Sequence, residues 1–216
     1  PYSIMSNVVI IPSRMDSSRF PGKPMLLIAG MPMIAHCYYR AKMADGIDKV
    51  YIATCDEIIF NYIKSIGGSA IMTSKLHTRA SSRTSEALEI ISSSSQEEIN
   101  HIVMVQGDEP LLIPDTISRA LDALNEDQID ISNVMCKFKE QKYFENRNNI
   151  KVVVNKMNQA LYFSRAPIPF EANVEEIPCY MQTGIIGFSR ESLLTFNKSQ
   201  ETMLEKVESV DMNRIL

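Results

Sequence analysis

The sequence lacks most of the features that would place a chain in a specialised class. No apolar run approaches the roughly 18 residues that a membrane span needs, and residues 1–7 lack the basic-then-apolar order of a secretory leader. Membrane insertion and secretion are not expected, and a cytoplasmic setting is. The four cysteines, Cys37, Cys55, Cys136 and Cys179, are scattered without a CxxC pair, so neither a zinc site nor a disulfide framework is suggested. Basic tracts are missing and the net charge is −4, which argues against a nucleic-acid partner, whose phosphates would need a positive face. Neither GxxxxGK(S/T) nor GxGxxG occurs, so generic ATPase and Rossmann dinucleotide readings lose their fingerprints. Internal repeats and long low-complexity tracts are absent too.

What is present is a chain of 216 residues, 45% hydrophobic, enough to bury one sizeable core. Residues 7–12 read as a wholly apolar strand of the kind buried on both faces of a parallel sheet. Strands at 49–53, 69–72 and 102–106 alternate with helices at 32–43, 57–65, 82–92 and 114–124, the second helix ending at Gly67-Gly68. The spacing predicts an α/β chain with a mostly parallel, doubly wound sheet and helices on both faces. Beyond about residue 130 the pattern turns to extended segments at 131–138, 152–154 and 160–163, read as a smaller strand-rich arm. One domain over 1–216 is expected, with that excursion around 131–180. Residues 166–178 hold three prolines and read as an extended loop or lid; 184–188 returns to the core, and 191–194 and 203–216 read as helices. The serines at 92–95 read as a solvated loop.

Three segments carry chemistry. The first, residues 12–24, follows the first strand and brings Arg14, Arg19 and Lys23 into a loop rich in small residues. Ligands of open α/β sheets gather beyond the carboxyl ends of strands, where backbone N–H groups approach phosphates closely. Arginines can fork onto phosphate oxygens while lysine acts as a point charge, which suits a pyrophosphate leaving group. The competing reading is a solvated basic loop. The second segment, Gln106-Gly107-Asp108-Glu109-Pro110, ends the apolar strand at 102–106 and displays Asp108 where magnesium could bridge it to a nucleotide. The competing reading there is a strand-end turn in which Asp108 caps the next helix and Glu109 is solvated. The third runs from Met72 to Glu86. Ser81 or Ser82 is a natural N-cap, leaving the helix N-terminus and Arg83 available to anions, and His77 is either a ligand or structural.

Jointly these segments resemble the CMP-Kdo synthetases, the 3-deoxy-manno-octulosonate cytidylyltransferases. The resemblance runs through Val9 to Arg14, Arg19 to Pro24, Ala53-Thr54 with Asp56-Glu57, Met72 to Ser74 with His77, and Gln106 to Pro110. It continues through Lys151 to Val153, Tyr162 to Arg165 with Pro167 to Pro169, and Glu208 to Met212. It implies a nucleotidyltransferase fold, a homodimer built partly through the later strands, CTP and a sugar acid as substrates, Mg2+, and a place in lipopolysaccharide biosynthesis. Carried onto this sequence, Lys23, Asp108 and Arg14 would be catalytic, with Arg14, Arg19 and Lys23 on the triphosphate and Asp108 on the magnesium. Met72, Thr73 and Ser74 would lie near the cytosine, with Arg83 another substrate contact. Gln106, Arg165, Gln182 and Asp211 would lie near the sugar acid.

Four departures from the family pattern stand out. Ala80-Ser81-Ser82-Arg83 replaces Gly-Thr-Asp-Arg, so a carboxylate is missing; Gln182-Thr183-Gly184-Ile185-Ile186 replaces His-Ile-Gly-(Ile/Leu)-Tyr, changing two side chains expected beside the sugar. Asp211-Met212-Asn213-Arg214 replaces Glu-Gln-Leu-Arg, and the sequence stops at Leu216, before the family's Asp-Thr-Pro-Glu-Asp segment with its second metal carboxylate. Alternatives are therefore a cytidylyltransferase for a different acid, such as amino-Kdo, a nonulosonate or a phosphonate, or a catalytically weak nucleotide-binding relative.

Overall fold

A computed structural model describes residues 5–16, 20–94 and 98–216. Along the chain come β1 (Met5–Ser13), a 3-10 turn (Lys23–Met25), β2 (Leu27–Ile28), β3 (Met31–Pro32), α1 (Met33–Ala41), β4 (Lys49–Thr54), α2 (Glu57–Ser65) and β5 (Ser69–Met72). Then follow α3 (Ala80–Ser94), β6 (Glu98–Val105), α4 (Pro114–Ala123), β7 (Ile131–Lys137), α5 (Gln141–Glu145), β8 (Lys151–Val154) and β9 (Ala160–Ser164). Last are β10 (Tyr180–Ser189), α6 (Arg190–Lys198), α7 (Met203–Glu208) and a second 3-10 turn (Asp211–Ile215). Contacts divide the chain into two compact units, residues 1–132 with 184–197 and residues 133–183 with 198–216. Among the described residues no helix is long and apolar enough to cross a membrane.

In the first unit the sheet order is β5-β4-β1-β6-β10, parallel except for β10, which runs antiparallel to β6 with Ile186 opposite Met104. Strand β1 is central because Val8, Val9, Ile10 and Ile11 are all apolar, and no alternating pattern gives it a polar face; each is at most 1% exposed. Helix α1 buries Ile34, Cys37, Tyr38 and Ala41, a stripe at helical spacing, but Pro32, the first residue of the expected helix, caps it rather than opening it. Helix α2 ends as predicted at its glycine pair. Gly67 takes φ 75° and donates to the Lys64 carbonyl, and Gly68 N–H reaches the Ile63 carbonyl at 2.8 Å, which satisfies the last carbonyls of the helix. The serine run does not form a loop: Ser92, Ser93 and Ser94 are the last turn of α3, their hydroxyls donating to the carbonyls of Leu88, Ile90 and Ile91. Ser95 lies outside the described residues.

In the second unit the start of β10 pairs with β8, and β8 with β9. A small core gathers Phe138, Phe144, Ala172, Val174 and Cys179, with Met181 packed on it. That core decides the region read as a loop or lid. Ala172 and Val174 are 5% and 4% exposed, and Gln141 donates to the Ala172 carbonyl while accepting from Val174 N–H, so the segment is anchored at its middle. The helix expected over 203–216 breaks after Glu208, where Ser209 takes φ 53°. This C-terminal stretch belongs with residues 133–183 because Asn213 brackets the main chain of Phe163, accepting from its N–H at 3.1 Å and donating to its carbonyl at 2.9 Å.

Candidate active site

From β1 the chain steps outward to β4 and β5, then returns through α3 to β6 on the other side of β1. Loops leaving the carboxyl ends of β1 and β6 diverge at that reversal, which is where open α/β sheets place their ligands. A cavity of about 400 Å³ opens there. The β1 loop contributes Arg14, Asp16 and Lys23; the β6 loop contributes Gln106, Gly107 and Asp108; the approach to α3 contributes His77, Arg79 and Arg83.

Each loop is held by local contacts. Met15 N–H donates to Asp56 Oδ2 at 2.8 Å, and its carbonyl accepts from Gly22 N–H at 2.8 Å, so the loop returns and delivers Lys23 at the start of the 3-10 turn. Lys23 Nζ meets Asp108 Oδ2 at 3.1 Å, with side chains 39% and 50% exposed. Gly107 is needed for this approach: a Cβ there would lie 3.1 Å from the Pro12 carbonyl and 3.2 Å from Ile34 Cδ1. Asp108 caps nothing, because α4 starts at Pro114 with Ile113 at its N-cap. The side chains of Arg14, Asp16 and Gln106 are exposed and have no hydrogen-bond partner among the described residues. Such an exposed pair and such free donors contribute little to folding, at most about 1 kcal/mol per pair, and remain available to a ligand.

The third wall differs from expectation. Helix α3 begins at Ala80, so Ser81 and Ser82 sit inside its first turn instead of capping it; Ser82 Oγ donates back to the Arg79 carbonyl. Arg83 is no free anion binder. It is 3% exposed and donates to Thr73 Oγ1 at 2.6 Å and to the Ser74 carbonyl at 3.2 Å, which fixes the turn after β5. His77 is braced between Ser82 Oγ at 3.0 Å and Glu86 Oε2 at 2.5 Å. Burial by itself would raise the Glu86 carboxyl, but hydrogen bonds from Ser74 N–H and His77, with the charges of His77 and Arg83, hold it below the ordinary value. An ionised Glu86 only accepts, so His77 Nε2 carries the proton.

Burial raises two groups at the β6 loop. The Cys37 thiol is pushed up to about 12, first by burial and then by the charges of Asp108 and Glu109, against a backbone hydrogen bond from Glu109. It is not a nucleophile at neutral pH. Glu109 is half-buried, not solvated: burial and then Asp108 raise its carboxyl, while Gly184 N–H donates to it and opposes the shift.

The cavity therefore combines a lysine–carboxylate pair, a free arginine and a free amide at the carboxyl ends of two parallel strands. A family model described as cytidylyltransferase matches residues 8–216. The chain belongs to that family. It is 35% identical over 214 residues to the 8-amino-3,8-dideoxy-manno-octulosonate cytidylyltransferase of Shewanella pealeana, covering 98% of this chain and 86% of that one. It is 36% identical over 208 residues to the 3-deoxy-manno-octulosonate cytidylyltransferase of Fusobacterium nucleatum, covering 96% of this chain and 82% of that one. A solved CMP:2-keto-3-deoxy-manno-octonic acid synthetase, complexed with CTP, superposes with a TM-score of 0.87 at 33% identity, covering 97% of this chain and 85% of the other.

Within this cytidylyltransferase, Arg14, Lys23, Gln106 and Asp108 come together in one cavity. Arg19 lies outside the described residues. Met72, Thr73 and Ser74 do not line the cavity; Thr73 Oγ1 and the Ser74 N–H are engaged by Arg83 and Glu86. Arg165, Gln182 and Asp211 belong to the second unit, where Gln182 Nε2 donates to Asn133 Oδ1 at 2.8 Å and Asp211 opens the last turn. Ile186, expected beside the sugar, is 4% exposed and part of the core opposite Met104. Sequence reasoning missed Asp16, Arg79 and Glu86, and gave Asp56 no task of its own. For Asp56 there was a signal, an aspartate directly before the helix at 57; for Glu86 there was none, since its partners sit 9 and 12 residues away across a loop.

Proposed function

We propose that the chain transfers CMP from CTP to a 3-deoxy-2-keto sugar acid, 3-deoxy-manno-octulosonate or its 8-amino relative, and releases pyrophosphate. The observation that carries this reading is the Lys23–Asp108 pair at 3.1 Å in a cavity shared with Arg14, in a chain of the cytidylyltransferase family. The anomeric hydroxyl of the acid attacks the α-phosphorus. A new P–O bond forms as the bond to the leaving oxygen breaks, pyrophosphate takes the electron pair, and the hydroxyl proton passes to solvent. Arg14 and Lys23 hold the triphosphate and stabilise charge on the departing pyrophosphate, Lys23 exchanging Asp108 for phosphate oxygen as it does so.

Magnesium suits this donor set. Among the described residues no three His, Cys, Asp or Glu side chains form a metal cluster, but Asp16 and Asp108 both line the cavity, and Mg2+ takes one or two carboxylates with phosphate oxygens and waters. When bound it would neutralise charge on the phosphate oxygens. The same reading makes the enzyme a cytoplasmic homodimer of lipopolysaccharide biosynthesis, supported by the resemblance to the CMP-Kdo synthetases; light scattering tests the dimer. Similarity to the Shewanella pealeana enzyme and the presence of Gln182 where the family pattern has histidine favour the 8-amino acid as a second acceptor. Pyrophosphate release with CTP, Mg2+ and each acid in turn decides: turnover with either supports the reading, and no release with any sugar acid leaves a nucleotide-binding relative instead.

A further inference from the structure

In the second unit the main chain of Arg165 is held from both sides. Its N–H donates to Glu208 Oε2 at 2.7 Å, and its carbonyl accepts from Lys151 Nζ at 2.6 Å. Lys151 is fully buried and also donates to the carbonyls of Asn146 and Asn149, at 3.1 and 2.6 Å. Those three bonds occupy all three hydrogens of an ammonium. On the other side, Glu208 Oε1 accepts from the hydroxyls of Tyr162 at 3.1 Å and Ser164 at 2.7 Å. Burial would raise the Glu208 carboxyl, yet the Arg165 N–H, the two hydroxyls and the Arg165 charge hold it below its ordinary value. Lys151 is lowered, by burial and then by Arg165, against the pull of Glu208.

The guanidinium is aimed by the same assembly. Nε donates to the Glu208 carbonyl at 2.8 Å, Nη1 to the Arg147 carbonyl at 3.2 Å and Nη2 to the Ser209 carbonyl at 3.3 Å. Five donors less three leave one N–H on each terminal nitrogen, a pair that can fork onto a carboxylate. Desolvating an ammonium and a carboxylate is costly, and neither ion has a salt-bridge partner among the described residues; what the two achieve in common is a fixed Arg165.

We propose that Glu208, with Lys151 on the opposite side of the peptide, is a positioning residue that presents the Arg165 guanidinium to the carboxylate of the sugar acid. The inference rests on the proposed cytidylyltransferase reading and on the place beside the sugar acid that the resemblance to the CMP-Kdo synthetases implies for Arg165. Steady-state kinetics on the full chain with CTP, Mg2+ and 3-deoxy-manno-octulosonate test it, beside calorimetric CTP binding. Arg165→Ala sets the reference, with a KM for the acid raised about tenfold or more. Glu208→Ala should raise the same KM about tenfold, leave CTP affinity unchanged, and add nothing to Arg165→Ala in the double variant, because nothing is left to position. If the KM for the acid stays at the wild-type value, or the two changes multiply, Glu208 only supports the fold and the proposal is overturned. If Arg165→Ala itself leaves that KM unchanged, the acid is misplaced and the proposal falls with it, while wild-type pyrophosphate release still upholds the cytidylyltransferase reading. Should the alanine variant not fold, Glu208→Gln and Tyr162→Phe replace it. Each disturbs part of the carboxylate's shell and should raise the same KM by about two- to fivefold; wild-type values in both overturn the proposal.

Discussion

In the first unit Lys23 and Asp108 meet through one contact of 3.1 Å with both side chains substantially exposed. In the second, Arg214 holds Glu205 through two bonds of 2.8 and 2.6 Å, with side chains 9% and 0% exposed. The chemistry of the two pairs is the same, and their surroundings separate their roles. Water screens the first pair, so it stabilises little and Lys23 can trade Asp108 for another anionic oxygen. Burial shields the second pair from solvent, so a released charge would be poorly hydrated and the pair pins α7 against the last turn. Exposure thus distinguishes charge kept for a ligand from charge used as framework.

The contrast is sharpest on removing one partner. Arg214→Met should strip the buried Glu205 of both guanidinium bonds and cost about 3–5 kcal/mol in urea unfolding, and a loss below about 1 kcal/mol would erase the distinction. Asp108→Asn is expected to lower turnover by about 10² or more while changing stability by less than about 1 kcal/mol; unaltered pyrophosphate release at saturating magnesium would take Asp108 out of the site. Arg14→Ala and Lys23→Ala should each weaken CTP about tenfold by calorimetry, and Arg14→Lys should fail to restore a forked contact. The smallest effect probes Glu208 by pH. Its folded carboxyl lies below the ordinary 4.5, so the unfolded chain binds more protons between the two values, and the stabilisation present above 4.5 is lost as pH falls through the folded value. Compared with Glu208→Gln, the wild-type chain should be about 1 kcal/mol more stable at pH 7, with the gap closing in acid. A gap that is the same at pH 3 would show that the carboxylate charge plays no part.

Much of the first unit could be read directly. Buried parallel strands announce themselves as continuous apolar runs, as at Val8 to Ile11, and the glycine pair stops α2 through its own backbone geometry. Boundaries slipped where a local rule had competitors: Pro32 became a cap, and Ser92 to Ser94 continued α3 with their hydroxyls turned back onto its carbonyls. In the second unit the sequence pattern marked strands but gave no sign that residues 166–178 are anchored through Ala172 and Val174, because that depends on Phe138 and Phe144 from distant segments.

The sequence by itself determined the alternation of strand and helix, and with it a crevice at the ends of β1 and β6 holding Arg14, Lys23, Gln106 and Asp108, since strand-end loops in such a sheet diverge where the strand order reverses, whatever their composition. Only the tertiary structure decided which charges remain available. Arg14 and Arg83 look alike in sequence, yet one is exposed in the cavity and the other is 3% exposed and bonded to Thr73 and Ser74. Lys23 and Lys151 divide in the same way. A basic side chain is committed to the framework when folding closes a shell of acceptors around it, as Thr73 Oγ1 and the Ser74 carbonyl do for Arg83 and the carbonyls of Asn146, Asn149 and Arg165 do for Lys151.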